Sequence, residues 1–364
     1  MHEMIIVGAG LAGLALAGTM TDRGGDVVVL EARTRIGGRV LTHATAAGAY
    51  DLGPAWIWPA MQPRVAHLAR MAGAGLYPQS DLGAFIHQDH QGRTQRIAQG
   101  FRQEPPSMRV HGGIEALVAA VARKCRPGSI RLGFAVRRIA VTGDGVEVYA
   151  EHAGATVTLT GDRVALALPP RLLADIEITP ELPPAMKAGL LAVPTWMAGH
   201  AKALALYDTA HWRDARLSGS AVSECGPLAE IHDAGIPGAA EAALVGFFGW
   251  DATRREAERA SLTERVAAQL GVLYGAPAGS PKAVILRDWS AERWTATAAD
   301  RRAPASHPAY GPMPLPDPWG RRLLLCGSEA APEFGGYLEG ALAAAEAAAA
   351  WAEDRRTWPA RQTI

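Results

Sequence analysis

Four consecutive apolar residues, Met4-Ile5-Ile6-Val7, run directly into Gly8-Ala9-Gly10-Leu11-Ala12-Gly13 and then into a helical pattern lasting to about Thr21. No other segment constrains the fold as much. The apolar run fits a buried parallel strand, and a second one, Val27 to Leu30, ends at Glu31, roughly twenty residues beyond the first glycine. Strand, glycine loop, helix, strand and acid in this order make a dinucleotide-binding βαβ unit. Its glycines have separate tasks: Gly8 a tight turn, Gly10 a close approach of backbone to pyrophosphate, Gly13 close packing of helix on strand. Free N–H groups of Leu11, Ala12 and Gly13 at the helix start face the phosphate charge, and Glu31 is placed to accept a hydrogen bond from a ribose hydroxyl. The expected fold is α/β.

A chain of 364 residues is long enough for about two domains and a sizeable core. Lys plus Arg and Asp plus Glu are 36 each, so no basic excess draws it to nucleic acid, and a small molecule is the expected partner. Cys125, Cys225 and Cys326 are too few and too scattered for a disulfide framework or a Cys-rich metal site, and the histidines lack ligand spacing, so no metal is expected. Without a leader pattern or a long apolar run, a soluble, cytoplasmic protein off the membrane is expected, with a homodimer left open. The pattern further predicts helices over 112–124, 254–273 and Tyr337 to Ala352. It predicts strands over 130–141, 146–152, 155–160, 164–168, Lys202 to Tyr207 and Leu323 to Cys326.

Which dinucleotide is bound depends on the residues that follow, Glu31-Ala32-Arg33-Thr34-Arg35-Ile36-Gly37-Gly38-Arg39-Val40. A second Gly-Gly-Arg is unnecessary for a nicotinamide nucleotide. A flavin needs a further glycine loop and a cation beside its phosphates and ribityl chain, so FAD is favoured. With these residues the chain resembles the flavin-containing amine oxidase family, which includes monoamine and polyamine oxidases. The resemblance continues through Tyr50-Asp51-Leu52-Gly53-Pro54-Ala55-Trp56-Ile57-Trp58, Val136, Val164 to Pro170, Gly327-Ser328-Glu329 and Tyr337-Leu338-Glu339-Gly340. It implies cofactor contacts from Gly8, Gly10, Leu11, Ala12, Gly13, Glu31, Ala32, Arg33, Gly37, Gly38 and Arg39. It implies others from Gly53, Pro54, Ala55, Trp56, Val136, Glu329, Gly336, Tyr337 and Leu338. The pair Gly335-Gly336 also leads into a helix whose N–H groups suit a reduced flavin's negative edge.

The activity so implied is FAD-dependent amine oxidation, moving a hydride from an amine carbon to flavin and yielding an imine, then aldehyde or ketone plus ammonia, with hydrogen peroxide formed from oxygen. Lys202 looks like the family lysine that holds a water against the flavin, and only four of the 36 basic residues are lysines. A solvated strand-edge lysine is the alternative. Tyr337 corresponds to one wall of the family's aromatic cage. The positions matching the other wall, and the covalent cysteine of some members, are Ala298 and Ala299. FAD is therefore expected to be noncovalent, and the second wall to be either absent or supplied by another residue such as Trp56, Trp58, Trp294 or Tyr310, with Trp294 taken as the catalytic aromatic. Arg109 reads as a surface arginine, with binding of a substrate carboxylate as its alternative. A Rossmann-like FAD domain is expected from 1–55, 105–180 and 315–355, and a mixed α+β substrate domain from 56–104 and 181–314. Two other functions remain: a dehydrogenase or desaturase using another acceptor, and a catalytically silent flavin-binding protein.

Overall fold

The computed structural model describes residues 1–98, 103–304 and 306–354. The N-terminal pattern folds as its periodicity dictates: β1 (His2–Val7), α1 (Leu11–Asp22) and β2 (Val27–Glu31). β1 and β2 are parallel, with Ile5 beside Val28 and Ile6 beside Val29. Every residue of β2 is buried, as the inner strands of a parallel sheet covered on both faces must be. In the same sheet β2 is followed by Ile130–Leu132, and on its other side β1 pairs with Ala155–Leu166. The latter also pairs in parallel with Leu323–Leu325, and antiparallel with Val146–His152. Ala135–Val141 and Glu177–Thr179 complete the eight strands.

Two elements of this sheet differ from the sequence expectation. The span 130–141 is two strands, parted at Gly133, whose φ of 75° turns the chain from β2 toward the antiparallel ribbon. Conversely, 155–160 and 164–168 form one strand, Ala155–Leu166. The polar interruption there, Gly161-Asp162-Arg163, has a structural use. Arg163 is buried, and its guanidinium donates to the carbonyls of Trp351 (3.0 Å), which also accepts from Asp354 N–H, and Ala352 (3.2 Å), in the last turn of the helix Leu338–Glu353.

The second unit is built on a seven-stranded sheet in the order Ala283–Asp288, Ala201–Tyr207, Ala242–Phe248, Leu228–Asp233, Leu217–Ser223, Ala84–Gln88 and Thr94–Ile97. It is antiparallel except where Leu217–Ser223 runs parallel to Ala84–Gln88. Strand alternation sorts its residues. Ala201, Ala203, Ala205 and Tyr207 join a core with Trp212 and the helix Leu262–Tyr274. Leu204 and Leu206, on the other face with Lys202, pack with Tyr50 and Leu52. The single helix expected over 254–273 is broken into Ala252–Ala257, a tight turn and Leu262–Tyr274. Within that turn the Ser261 hydroxyl donates to the Glu258 carbonyl at 3.1 Å, competing with the helical ladder.

The two compact units are Met1–Val40, Leu117–Trp196 and Pro304–Ile364, and Leu41–Ala116 and Met197–Ala303. These divisions differ from the expected ones by a dozen or so residues each, for packing reasons. Tyr50 and Leu52 lie in the second unit's core, and Met108–Val110 pairs with Leu76–Pro78. Leu182, Leu190 and Met313 pack in the first unit's core. Residues 99–102, 305 and 355, included in the expected domains, lie outside the described residues. Among the described residues no helix is long and apolar enough to cross a membrane.

Candidate active site

The glycine loop of the first unit divides its three glycines as the spacing predicts. Gly8 has φ 106°, and a Cβ there would lie 2.5 Å from the Ala167 carbonyl oxygen; one at Gly13 would lie 2.0 Å from that of Gly8. Both are demanded by the protein's own packing. At Gly10 a Cβ would meet nothing within 4 Å, so this glycine leaves an open face directly over the start of α1. No side chain caps that helix, and its first turn, Leu11-Ala12-Gly13, carries no acid. The donors and the positive end of the helix dipole are left for an anion. Gly37 and Gly38 lie against the loop: Gly37 N–H donates to the Ala9 carbonyl at 2.8 Å, and a Cβ at Gly38 would come within 3.3 Å of Gly10 Cα.

Glu31 is buried, and its carboxylate accepts from Ala9 N–H at 2.8 Å and Arg33 N–H at 2.9 Å. Those bonds fix it at the end of β2 while leaving further lone pairs for a ribose hydroxyl. The half-buried Ala32 follows. Val136 puts its side chain in the core, which leaves its backbone for a ligand. These residues fit a dinucleotide.

Arg39 and Glu329 meet from opposite ends of the sequence. Glu329 is wholly buried, with its oxygens 2.7 Å and 3.0 Å from the two terminal nitrogens of Arg39; Ser328 Oγ lies 2.9 Å from both partners. The hydrogen bonds from Nη2 to Glu329 and Ser328, with the ion contact at Nη1, hold the guanidinium. Glu329 thus holds the arginine in place. Gly335 and Gly336 also have a reason beyond ligand approach. A Cβ on them would come within 2.5 Å of Tyr310 Cβ and 2.8 Å of Trp196 Cβ.

Those aromatics surround Tyr337, which is 37% exposed at the start of the last helix, just before the buried Leu338. His307 stacks on it, centroids 5.2 Å apart at 17°, and Trp196 lies 6.3 Å away. His307 Nε2 is 2.9 Å from the Gly335 carbonyl, which can only accept, so the ring carries a proton there. Of the aromatics proposed for the second wall, Tyr310 joins this group through His307, centroids 5.5 Å apart. Sequence reasoning missed Trp196 and His307 as neighbours of Tyr337. Both lie in irregular segments without a periodic signal.

In the second unit Lys202 is the polar member of the row Lys202, Leu204, Leu206. Its strand is flanked on both sides, and Lys202 stands opposite Phe247 on one and Arg287 on the other. It is 4% exposed, so the strand-edge alternative does not hold. Its Nζ donates to the Gly53 carbonyl at 2.5 Å and lies 4.6 Å from the Phe247 ring centroid and 5.3 Å from that of Trp56. Trp56 stacks on Phe247, with the Gly53-Pro54-Ala55-Trp56 stretch all in this unit. Burial lowers the Lys202 amine to about 7, opposed by Asp51 and reinforced by Arg109. Asp51, bound by Thr42 Oγ1 at 2.6 Å and Ile114 N–H at 3.0 Å, is nevertheless pushed up to about 6 by its own burial. An amine poised near neutrality can bind a water or exchange a proton with little cost.

Arg109 is not a surface residue. It is 4% exposed, with Nε donating to Gln79 Oε1 at 2.6 Å and its guanidinium 5.1 Å from the Trp56 centroid. Trp56 Nε1 donates to the same oxygen at 2.7 Å. Trp294, also in this unit, is half-buried with the Arg293 guanidinium 4.3 Å over its ring. The ring contacts around Lys202 are those of Trp56 and Phe247. Ala298 opens a short turn in which Thr297 and Asp300 cap each other.

Comparison with known proteins agrees with this geometry. Residues 95–351 match the family described as flavin containing amine oxidoreductase, and residues 6–71 an NAD(P)-binding Rossmann-like domain. A flavin-containing amine oxidase of Danio rerio is 25% identical, over 95% of this chain and 85% of that protein. Among solved structures, a putrescine oxidase has the same fold, with a TM-score of 0.80 at 19% identity over 97% of this chain and 99% of that one. Cyclohexylamine oxidase from Brevibacterium oxydans superposes with a TM-score of 0.78 at 19% identity, over 98% and 99%. With the family matched over most of its length, the chain belongs to the flavin-containing amine oxidoreductases.

Proposed function

We propose that this protein is an oxidase of small-molecule amines, cytoplasmic in location, that binds FAD noncovalently and uses oxygen as acceptor. The observation that carries the reading is Lys202, a buried amine brought close to neutrality beside Trp56 and Phe247. Bound FAD would supply the acceptor for a hydride from the amine's α-carbon; the imine product would be hydrolysed by water to aldehyde or ketone plus ammonia, and oxygen would take up the two electrons as hydrogen peroxide.

The chain's own groups do the rest. The N–H groups of Leu11, Ala12 and Gly13 hold the pyrophosphate, Glu31 accepts from the ribose, and Arg39, oriented by Glu329, offsets phosphate charge. The Gly37–Gly38 turn and Gly336 let backbone approach the cofactor, and Val136 contributes its main chain. Lys202 holds a water and moves its proton. Tyr337, supported by His307 and Trp196, positions the substrate amine and favours its uncharged form by excluding water. Trp294 offers a further aromatic face to an amine. Alanine at positions 298 and 299 offers no thiol to the flavin.

The test is an absorbance spectrum of purified protein before and after acid precipitation, then anaerobic titration with amines and amino acids and measurement of peroxide on readmitting oxygen. The expected result is yellow protein whose FAD leaves with acid, a visible band bleached by an amine, and one peroxide per amine. Flavin that stays with the acid pellet overturns noncovalent binding. Bleaching without peroxide identifies a dehydrogenase with another acceptor, and flavin that no donor reduces overturns the catalytic reading.

A further inference from the structure

Two cations share one indole in the second unit: Lys202 Nζ lies 5.3 Å and Arg109 Cζ 5.1 Å from the Trp56 centroid. Gln79 organises the group. Its Oε1 accepts from both Trp56 Nε1 and Arg109 Nε, and its Nε2 donates to the Asp233 carbonyl at 2.7 Å and that of Ser80 at 3.0 Å. With Nε2 committed to two acceptors, the amide orientation is settled. Arg109 thus sits on a neutral oxygen, and its Nη2 is buried with no hydrogen-bond partner. A buried donor left without a partner is costly, and closure around Nη2 keeps it from a substrate carboxylate, the role the sequence left open for this arginine.

We propose that Arg109 is a positioning residue for Lys202, its guanidinium held by Gln79 so that it sets the charge state of the lysine amine beside the indole they share. The inference rests on the reading of Lys202 as the working amine. Arginine suits the task because it stays charged at any working pH. A fixed positive charge disfavours a second one nearby, adding to the desolvation that already favours the neutral amine. The other charged groups facing Lys202 are accounted for. Asp51 favours the ammonium form. Glu230, opposite Phe247, does so too, but is hydrogen-bonded to His232 at 2.6 Å. Arg287, on the adjacent strand, is ion-paired with Glu292. Arg109 is therefore the cation in this group without a carboxylate hydrogen-bonded to it.

With four lysines in the chain, Lys124, Lys187, Lys202 and Lys282, 13Cε-lysine labelling of the FAD-loaded enzyme gives few enough NMR signals to follow singly, that of Lys202 being assigned by its loss in Lys202→Met. The wild-type signal should titrate near neutrality. Arg109→Met should raise its midpoint by about one pH unit, tenfold in the protonation equilibrium, Arg109→Lys should restore it, and Asp51→Asn should move it the other way. A folded, flavin-loaded Arg109→Met enzyme whose Lys202 midpoint is unchanged overturns the proposal, as does a wild-type midpoint near 10. If Arg109→Met does not fold, Gln79→Met decides: release of the guanidinium should raise the midpoint, and no movement overturns the idea. Failure of the underlying reading is distinct. It would appear as undiminished amine oxidation by Lys202→Met, whatever the midpoints.

Discussion

Burying Lys202 costs stability in a way that depends on pH. Its amine titrates near 7 in the folded protein and near 10.4 when the chain is unfolded. Between those values the unfolded chain holds the proton that the folded one has released, so stability rises with pH through that window and the full penalty is present below it. Lys202→Met removes the charge while keeping an unbranched chain in the row with Leu204 and Leu206. The variant should be more stable than wild type by about 4 kcal/mol at pH 7, an advantage that shrinks to nearly nothing by pH 10.5. Thermal unfolding across that range checks this. Amine oxidation should fall by about two orders of magnitude with FAD content unchanged, the size expected for losing a proton-transfer group. In the sequence, the scarcity of lysine singled Lys202 out, yet its surroundings were hidden. The flanking strands Ala242–Phe248 and Ala283–Asp288 lie far along the chain. Arg109 was misread for the same reason, since its approach, Pro105-Pro106-Ser107, looks like surface loop, and only pairing with Leu76–Pro78 buries it.

Among the elements, the βαβ unit was legible because its chemistry is local: an apolar strand, a turn that only glycine can make and a helix beginning at once. The break after Ala257 was less so, because Ala257-Glu258-Arg259-Ala260 carries good helix formers, and the competing Ser261 hydroxyl outweighs them. The glycine loop gives two contrasting predictions from one extra methyl group. Gly13→Ala puts a Cβ 2.0 Å from the Gly8 carbonyl oxygen, so α1 cannot seat against β1. The cost should be at the upper end of overpacking, about 3 kcal/mol or more, whether or not flavin is present. Gly10→Ala meets open space, so apo stability should stay within about 0.5 kcal/mol of wild type. Its methyl group would occupy the face left for pyrophosphate, and FAD affinity should fall by about tenfold or more, roughly 1.4 kcal/mol. Thermal unfolding of the apo proteins and flavin fluorescence titration separate the two. Equal FAD affinity in Gly10→Ala would place the pyrophosphate elsewhere.

At the scale of the molecule, each unit is stitched from separated segments, and the junctions were the least legible part of the sequence. Segment 41–55 follows the nucleotide-binding unit directly, and nothing in its composition announces that Tyr50 and Leu52 pack against Leu204 and Leu206. Such assignments depend on contacts between residues far apart in sequence, which local periodicity does not encode. The cradle and the lysine-bearing sheet belong to different units, so the effect of FAD is expected to be uneven. A ligand that binds only the folded state stabilises it by about 2.7 kcal/mol at a hundred times its dissociation constant, and local protection follows the groups it contacts. Hydrogen exchange of apo and FAD-loaded protein should therefore differ most at Gly8–Gly13, Gly37–Arg39 and Gly327–Leu338, above all at the uncapped N–H groups of Leu11, Ala12 and Gly13. Ala201–Tyr207 and Ala242–Phe248, hydrogen-bonded on both sides within their sheet, should change little. If removing FAD instead exposed those strands as much as the glycine loop, the cofactor's hold could not be confined to the first unit, and Gly53 to Trp56 would have to carry a large share of it.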